Sequence, residues 1–298
     1  MKAPIFTGSA VAIVTPFTRE GAVDLPALGR LLEEQLQGGT DAIVVCGTTG
    51  EASTMTPRER EQAIAYCVEQ VRGRVPVIAG SGANDTKTAL ALSRNAQRAG
   101  ADGVLLVTPY YNKANQEGLR RHFLTIADGV DLPCILYNVP TRTGVSIAPE
   151  TYATLAAHPN INGVKEASGD LGVVQRTRNL CDEDFFIWSG NDDQVVPLCA
   201  LGGVGVISVA ANLVPGQMHR MVRLCLENDF AAAGKLQLWL KDLYDALFCE
   251  VNPIPVKTAL QLLGKDTGVL RLPLCPPSDA HRRQIRQTLV RYGLLAEA

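Results

Sequence analysis

The sequence lacks the features by which several classes of protein are recognised. No apolar run approaches the roughly 20 residues that a membrane-spanning helix needs. The formal net charge is only -2, with acids and bases interspersed, which argues against a nucleic acid or a membrane surface as partner. The N-terminus has a short apolar stretch interrupted by Gly8 and Pro16, which is more typical of a first strand than of a signal peptide. We therefore expect a cytoplasmic protein.

Metal-binding and nucleotide-binding motifs are missing as well. The 8 cysteines form no C-x-x-C pair and the 4 histidines are dispersed, so we expect mostly buried thiols and no metal site. The segment GSGAND, beginning at Gly80, lacks the third glycine of a dinucleotide fingerprint and the lysine of a P-loop. We interpret it as a structural turn.

What the chain does contain is an alternation of short apolar runs with longer amphipathic segments. The runs are continuous rather than alternating, which is typical of parallel strands covered on both faces. They are AVAIV at Ala10, AIVV at Ala42, VPVIA at Val75, GVLLV at Gly103, CILYN at Cys134, INGVK at Ile161, FFIWS at Phe185 and GVGVISV at Gly203. Eight such strand-helix units predict an α/β fold, the TIM (β/α)8 barrel, with the active site at the carboxyl ends of the strands.

Helix signals fall between these runs. Thr56 is predicted as an N-cap, with Pro57 at the first helical position and Glu59 completing a capping box. Asn84 or Asp85 caps another helix that ends near Gly100, and further helices are predicted over 115–128, 149–157, 170–181 and 192–201. Beyond the eighth strand the chain reads as wholly helical from about residue 214 to 295. We predict a barrel over residues 1–228 and a C-terminal helical domain over 229–298.

One lysine, Lys165, ends the sixth strand signal. A solvated lysine at a strand end is common and indicates nothing by itself. Here the segments after the other strands are rich in small hydroxyls, glycine and tyrosine, and Lys165 is the amine that a strand directs toward them. Burial in an apolar barrel disfavours an ammonium, and the neutral amine attacks carbonyl carbon to form a Schiff base. We predict that Lys165 traps a carbonyl compound.

Two neighbouring features fit that chemistry. In GTTGE, Gly47 and Gly50 let the backbone approach a ligand, and Thr48 and Thr49 offer hydroxyl and amide groups that can bind a small carboxylate. The same pentapeptide is equally compatible with a plain turn between strand and helix. Tyr137, which ends the fifth strand signal, can relay protons, although a buried tyrosine is more often part of a core.

Five motifs together, GTTGE, PYYNK, YNVPTRTG, VKEASGD and SGND, resemble those of the dihydrodipicolinate synthase family. This family belongs to the pyruvate-dependent class I aldolases, which also include N-acetylneuraminate lyase. The resemblance covers essentially the whole chain, with the motifs in the expected order and spacing. It implies a lyase that condenses pyruvate with L-aspartate 4-semialdehyde to give 4-hydroxy-tetrahydrodipicolinate, on the route to diaminopimelate and lysine. It also implies that no metal or organic cofactor is needed.

The resemblance assigns catalytic roles to particular residues. It implies that Lys165 forms the Schiff base with pyruvate and that Tyr137 donates and accepts protons. Thr49 and Tyr111 are implied as relay partners of Tyr137, with Thr48 beside them. Tyr111 is expected to come from a neighbouring subunit, which implies a homodimer, or a homotetramer made of two dimers.

The resemblance also implies binding residues. Arg142 is expected to hold the carboxylate of the semialdehyde. Ile207 is expected to line the pyruvate pocket with its backbone, and Gly190 lies at the same mouth.

An effector pocket is the last feature that the resemblance implies. Tyr110 and Asn84 match residues that bind lysine in the lysine-inhibited members of the family. Pro57 and Arg60 stand where the sensitive members have two histidines, and Thr88 stands where they have glutamate. A carboxylate that would hold the ammonium of lysine is therefore missing, and we predict weak or absent inhibition by lysine.

Two other interpretations remain open from the sequence. A sister aldolase, acting on sialic acid or on a 2-keto-3-deoxy sugar acid, would share Lys165 and Tyr137 but bind a polyhydroxylated aldehyde. The paired threonines of GTTGE and Arg142 favour the amino-acid branch. A non-catalytic barrel that senses a 2-oxo acid is the other, and the joint presence of Lys165, Tyr137, Thr49 and Tyr111 favours an enzyme.

Overall fold

Eight parallel strands close into a barrel in this computed structural model, which describes residues 1–297. Each strand pairs with the next along the chain, and the last pairs with the first. The prediction of a (β/α)8 barrel is thereby confirmed. The strands are β1 (Gly8–Ala12), β2 (Ala42–Val45), β3 (Val77–Gly80), β4 (Gly103–Val107), β5 (Cys134–Asn138), β6 (Ile161–Glu166), β7 (Phe186–Ser189) and β8 (Gly205–Ser208).

Helices surround the barrel and extend beyond it. They are α1 (Leu25–Gln37), α2 (Pro57–Val71), α3 (Thr86–Arg98), α4 (Gln116–Asp128), α5 (Pro140–Thr143), α6 (Pro149–Ala156), α7 (Leu171–Leu180), α8 (Val195–Ala200), α9 (Pro215–Leu226), α10 (Phe230–Trp239), α11 (Lys241–Leu247), α12 (Ile254–Leu262) and α13 (Asp279–Arg291). Short 3₁₀ turns lie at Ala52–Thr54, Asp192–Gln194 and Ala210–Asn212.

Helices α2 and α3 both begin with a side chain that caps the first turn. Thr56 Oγ1 accepts from the amide of Glu59 at 3.2 Å, and the Glu59 carboxylate accepts from the amide of Thr56 at 2.8 Å, which confirms the capping box of α2. Of the two candidates for α3, Asp85 is the cap, because its carboxylate accepts from the amide of Thr88 at 2.7 Å.

The strands divide their side chains between two apolar clusters. Residues such as Val11, Ile43 and Leu136 pack between the barrel and the helices, whereas their neighbours, including Tyr137 and Ile207, fill the barrel interior. Lys165 is paired in register with Tyr137 on one side and Trp188 on the other, both interior residues. Lys165 therefore faces inward, and Glu166 faces the helices.

The C-terminal part departs from the prediction in one respect. Helix α9 packs against β1 and β8 and so completes the barrel, and α10 packs against α8 and α9. The expectation of a wholly helical chain up to residue 295 is wrong for residues 263–278, which form an irregular segment between α12 and α13. Its prolines, Pro273, Pro276 and Pro277, lack the amide hydrogen that a helix requires, and Gly264 and Gly268 adopt positive φ. The boundary at residues 228 and 229 stays a prediction.

Candidate active site

Lys165 lies at the end of β6 near the mouth of the barrel. Its side chain is buried, and Nζ lies 4.3 Å from the ring centroid of Tyr137. Within residues 1–297, Nζ has no hydrogen-bond acceptor and no carboxylate within ion-pair distance. A buried amine without a fixed partner keeps its donor and nucleophilic positions available for a ligand.

Gly190, directly after β7, makes room for this lysine. Its amide donates to the carbonyl of Glu166 at 2.7 Å, so the chain here runs close to the end of β6. A Cβ at position 190 would lie 2.6 Å from Cβ of Ala167 and 3.1 Å from Cε of Lys165. Only glycine allows this approach without displacing Ala167, and a side chain here would also crowd Lys165.

The GTTGE segment forms a tight turn after β2. Cys46 and Glu51, at its two ends, adopt φ of 55° and 52°, a region that costs free energy for residues other than glycine. Gly80 of β3 allows the close approach, because a Cβ there would lie 2.1 Å from the carbonyl oxygen of Cys46. Within residues 1–297 the amide groups of Thr48 and Thr49 have no acceptor. Two adjacent free amides form a binding position for an anion.

A buried ion pair holds this strained turn. Nζ of Lys257, on α12, donates to Glu51 Oε1 at 2.7 Å and to the carbonyls of Thr15 and Val269 at 3.0 and 2.6 Å. Both charged side chains are 0% exposed. The amide of Arg271 donates to the other oxygen of Glu51 at 3.0 Å. The C-terminal region therefore fixes the turn, a role that the sequence reasoning missed.

Asn252, two residues before the start of α12, was also missed and contacts two predicted site residues. Its Nδ2 donates to Thr49 Oγ1 at 3.0 Å. Its backbone carbonyl accepts from Nη2 of Arg142, on the short helix α5, at 3.2 Å. The signal in the sequence is slight: a polar residue followed by proline in VNPIP, ahead of an apolar helix that contains one lysine.

A cavity of about 310 Å³ lies next to Arg142. Its lining includes Thr48, Tyr137 and Arg142, together with Arg60 and Tyr110. The structure thus brings predicted catalytic, substrate-binding and effector residues to one cavity. Ile207 lies deeper, on β8, and is fully buried in the barrel interior.

The loop after β4 carries the remaining predicted residues. Tyr111 is 90% exposed, with φ of 74°, and does not line the cavity of its own chain. Nδ2 of Asn112 donates to the carbonyl of Asn84 at 2.8 Å, which anchors the loop to the turn before α3. Asn84 itself does not line the cavity.

Two buried carboxylates lie near Lys165 without pairing with it. Glu166 faces the helices, where its carboxylate accepts from Nδ2 of Asn138 at 3.0 Å and from the hydroxyl of Tyr152 at 3.1 Å. Asp192 accepts from the amides of Val209 and Ala210. Burial raises the pKa of both carboxyl groups, and in Asp192 the charge of Lys165 opposes that rise. Sequence reasoning predicted neither.

The remaining titratable groups give no sign of a metal centre or a disulfide. Six of the eight cysteines are buried, as expected, and all eight are free. Among residues 1–297 no group of three or more His, Cys, Asp or Glu side chains is arranged to hold a metal ion. Over the same residues, no helix has the length and apolar character needed to cross a membrane.

A buried amine at the carboxyl-terminal mouth of a (β/α)8 barrel is the arrangement of an enzyme that forms a Schiff base. Comparison with known proteins identifies the family within this class of enzymes. The family model of the Dihydrodipicolinate synthetase family matches residues 5–291, and the chain belongs to that family.

Individual relatives are similar over almost their full length. The 4-hydroxy-tetrahydrodipicolinate synthase of Thermoanaerobacter sp. (strain X514) is 53% identical over 99% of both chains. A crystal structure of dihydrodipicolinate synthase from Aquifex aeolicus superimposes with a TM-score of 0.96 at 44% identity, covering 98% of this chain and 100% of that one. The enzyme of Cyanidioschyzon merolae, crystallised with lysine bound, gives a TM-score of 0.95 at 40% identity over 98% and 100% of the two chains.

Proposed function

We propose that this chain condenses pyruvate with L-aspartate 4-semialdehyde, through a Schiff base on Lys165, to give 4-hydroxy-tetrahydrodipicolinate. It is a lyase of lysine and diaminopimelate biosynthesis. Full-length relatives named for this activity support the assignment. The single observation that supports the mechanism is the buried, unpaired amine of Lys165 beside the ring of Tyr137.

The first half of the reaction activates pyruvate. Its carboxylate accepts hydrogen bonds from the free amides of Thr48 and Thr49. Nζ of Lys165 attacks the keto carbon, and the resulting carbinolamine loses water as the hydroxyl of Tyr137 delivers a proton to the departing oxygen. Loss of a proton from the methyl group then gives the enamine, a carbon nucleophile.

The second half forms the carbon-carbon bond and the ring. Arg142 holds the carboxylate of the semialdehyde through its planar, doubly donating guanidinium. The enamine carbon attacks the aldehyde carbon, and the aldehyde oxygen takes up a proton to become a hydroxyl. The nitrogen lone pair of the enamine re-forms the imine in the same step. The amine of the semialdehyde then attacks the imine carbon and displaces Lys165, so one water is lost overall. No electrons are transferred to or from the substrates, and the scheme needs no metal or organic cofactor.

Assembly belongs to the same proposal. Tyr111 lies outside the cavity of its own chain and is largely exposed, so it is free to complete the site of a second copy. We expect a homodimer, with two dimers forming a homotetramer, in the cytoplasm. Small 2-oxo acid and semialdehyde substrates, rather than a nucleic acid or a membrane, are its partners.

Trapping with borohydride tests the Schiff base. Reduction in the presence of pyruvate should add the pyruvate-derived mass to the peptide that contains Lys165. Lys257 is the internal control, because it is also buried but has three acceptors. A label on another lysine, or none, would contradict the proposal. Assays with pyruvate and either the semialdehyde or N-acetylmannosamine distinguish this enzyme from a sialic acid lyase.

Lysine inhibition is expected to be weak or absent. Arg60 and Arg142 both line the cavity, and the guanidinium of Arg60 donates only to the carbonyl of Ala52 within residues 1–297. Asp85 is a weak substitute for the missing glutamate, because its Oδ2 already accepts from the amide and the hydroxyl of Thr88. Half-maximal inhibition at sub-millimolar lysine would contradict this, and Thr88→Glu tests whether sensitivity can be introduced.

A further inference from the structure

Asn252 is placed so that its side chain controls one hydroxyl of the site. It is 5% exposed, and its Nδ2 donates to Oγ1 of Thr49, itself 2% exposed, at 3.0 Å. The two residues belong to different parts of the chain, the turn after β2 and the segment before α12. A contact between them is therefore built by the whole fold and not by local sequence.

We propose that Asn252 is a positioning residue that fixes the direction in which the Thr49 hydroxyl passes a proton, an inference that rests on the function proposed above. A hydroxyl has one hydrogen and two acceptor positions. The amide nitrogen occupies one acceptor position and cannot itself accept. The hydrogen of Thr49 is thereby kept out of the contact with Asn252 and remains available to another acceptor, which in the proposed relay is Tyr137.

The orientation of the amide follows from its surroundings. Oδ1 of Asn252 is buried without a partner in residues 1–297. The reversed amide would instead bury an NH2 group and leave both of its hydrogens unpaired, while Oδ1 accepted from Thr49. Unpaired donors are rarer in protein interiors than carbonyl oxygens with unused capacity. The observed orientation therefore leaves fewer buried hydrogen-bonding groups unpaired.

The backbone around Asn252 is held independently of its side chain. Its carbonyl accepts from Arg142, and Lys257, one turn into α12, is bonded to the barrel through Glu51 and Thr15. A change confined to the side chain therefore alters the contact with Thr49 and leaves both of these attachments in place. This separates proton relay from binding of the semialdehyde.

Two substitutions distinguish the direction of the hydrogen bond from its presence. Asn252→Asp keeps the shape but turns a donor into an acceptor, which draws the Thr49 hydrogen toward position 252 and away from the proposed relay. We expect kcat to fall about 100-fold, in the range of a lost proton-transfer step. The ratio of its kcat to that of the wild type should rise as pH falls, because a protonated carboxyl can donate again. In Asn252→Ala, kcat should fall about tenfold, and its ratio to the wild-type kcat should not rise as pH falls.

Asn162→Ala is the matched control. Asn162 is also 5% exposed, but it lies at the start of β6, where it accepts from the amide of Ile5 and donates to the carbonyl of Ala3. Its replacement should lower the melting temperature without changing the kcat of the folded fraction or its dependence on pH.

The outcomes are separable. If the wild type fails to condense pyruvate with the semialdehyde, the proposed function is wrong and this inference falls with it. If the wild type is active but the ratio for Asn252→Asp stays constant with pH, or kcat falls no further than in Asn162→Ala, only the role of Asn252 is wrong.

Discussion

Two lysines, Lys165 and Lys257, are buried in residues 1–297, and the difference between them separates a nucleophile from a structural cation. Both ammonium nitrogens lie 4.3 Å from an aromatic ring, that of Tyr137 or of Phe17. Lys257 also has three acceptors, including the carboxylate of Glu51, whereas Lys165 has none among the described residues. Burial and an aromatic neighbour are therefore shared by both lysines, and the set of acceptors distinguishes them. An amine whose hydrogens are all engaged cannot attack a carbonyl.

The largest expected effect is on catalysis, from Lys165→Met. The substitution removes the amine but keeps an unbranched side chain of similar length. Turnover should fall by at least about 10³-fold, since no other group can supply the nucleophile. Borohydride trapping with pyruvate should disappear, and the melting temperature should fall little, because no ion pair is broken.

Retention of the trapped adduct in this variant would show that Lys165 is not the nucleophile. A large loss of stability would show that Lys165 is structural, like Lys257, and would remove the distinction between the two.

Lys257→Met should have the opposite signature, a large loss of stability. Removing one partner of a buried pair leaves the charge of Glu51 uncompensated, which typically costs about 3–5 kcal/mol. Denaturant unfolding at pH 7 measures this. Lys265→Met is the control, because its pair with Glu34 is partly exposed and should contribute no more than about 1 kcal/mol.

Two further measurements complete this comparison. Replacing Glu51 by Gln as well should restore part of the stability, since the orphaned charge is removed. Trapping of pyruvate on Lys165 should survive in the folded fraction of Lys257→Met. If it does not, the ion pair is required for the geometry of the turn and not only for stability.

The two lysines also show what the sequence could predict. Lys165 ends an apolar strand within a recognisable motif, so its place at the mouth follows from strand order alone. Lys257 and Asn252 act on residues about 200 positions away, at sequence separations of 206 and 203. No periodicity encodes such a contact, because both residues sit in or beside an apolar helix pattern.

The same limit explains the errors in the C-terminal part. The irregular segment over residues 263–278 carries Arg271 and Val269, whose contacts with Glu51 and Lys257 replace the internal bonds that a helix would supply. Short helix α5, which carries Arg142, lies outside the predicted helices because four residues give no periodic signal.

Arg142 is a third cation of the site. The number of acceptors that it contacts lies between those of Lys165 and Lys257. Among the described residues its side chain makes one hydrogen bond, to the carbonyl of Asn252, and it is otherwise exposed to the cavity and solvent. Arg142→Lys keeps the charge but loses the paired donors that grip a carboxylate. We expect KM for the semialdehyde to rise about ten- to thirty-fold, with trapping of pyruvate unchanged. An unchanged KM for the semialdehyde would show that Arg142 does not bind this substrate.

The smallest expected effect concerns the ion pair between Glu59 and Arg271, which ties the irregular segment to α2. Arg271 donates to both oxygens of Glu59, and this lowers the pKa of the carboxyl from 4.5 to about 2. Because the folded pKa lies below the unfolded one, the stabilisation is fully present above pH 4.5 and is lost as pH falls toward 2. The side chains are 24% and 19% exposed, so solvent weakens the pair, and we expect about 1–2 kcal/mol.

Glu59→Gln, measured by denaturant unfolding across that range of pH, tests this pair. The variant should be less stable than the wild type at pH 7, and the two curves should converge as the wild-type carboxyl becomes protonated. Glu117→Gln is the control, since Glu117 also has its pKa lowered to about 2, by Arg120 and Arg121, but its side chain is 47% exposed and its replacement should barely change stability. If the difference in unfolding free energy between Glu59→Gln and the wild type stays constant with pH, packing and not charge holds the segment. Lys257 would then be the cation whose charge secures the turn, and the contrast with Lys165 would become sharper.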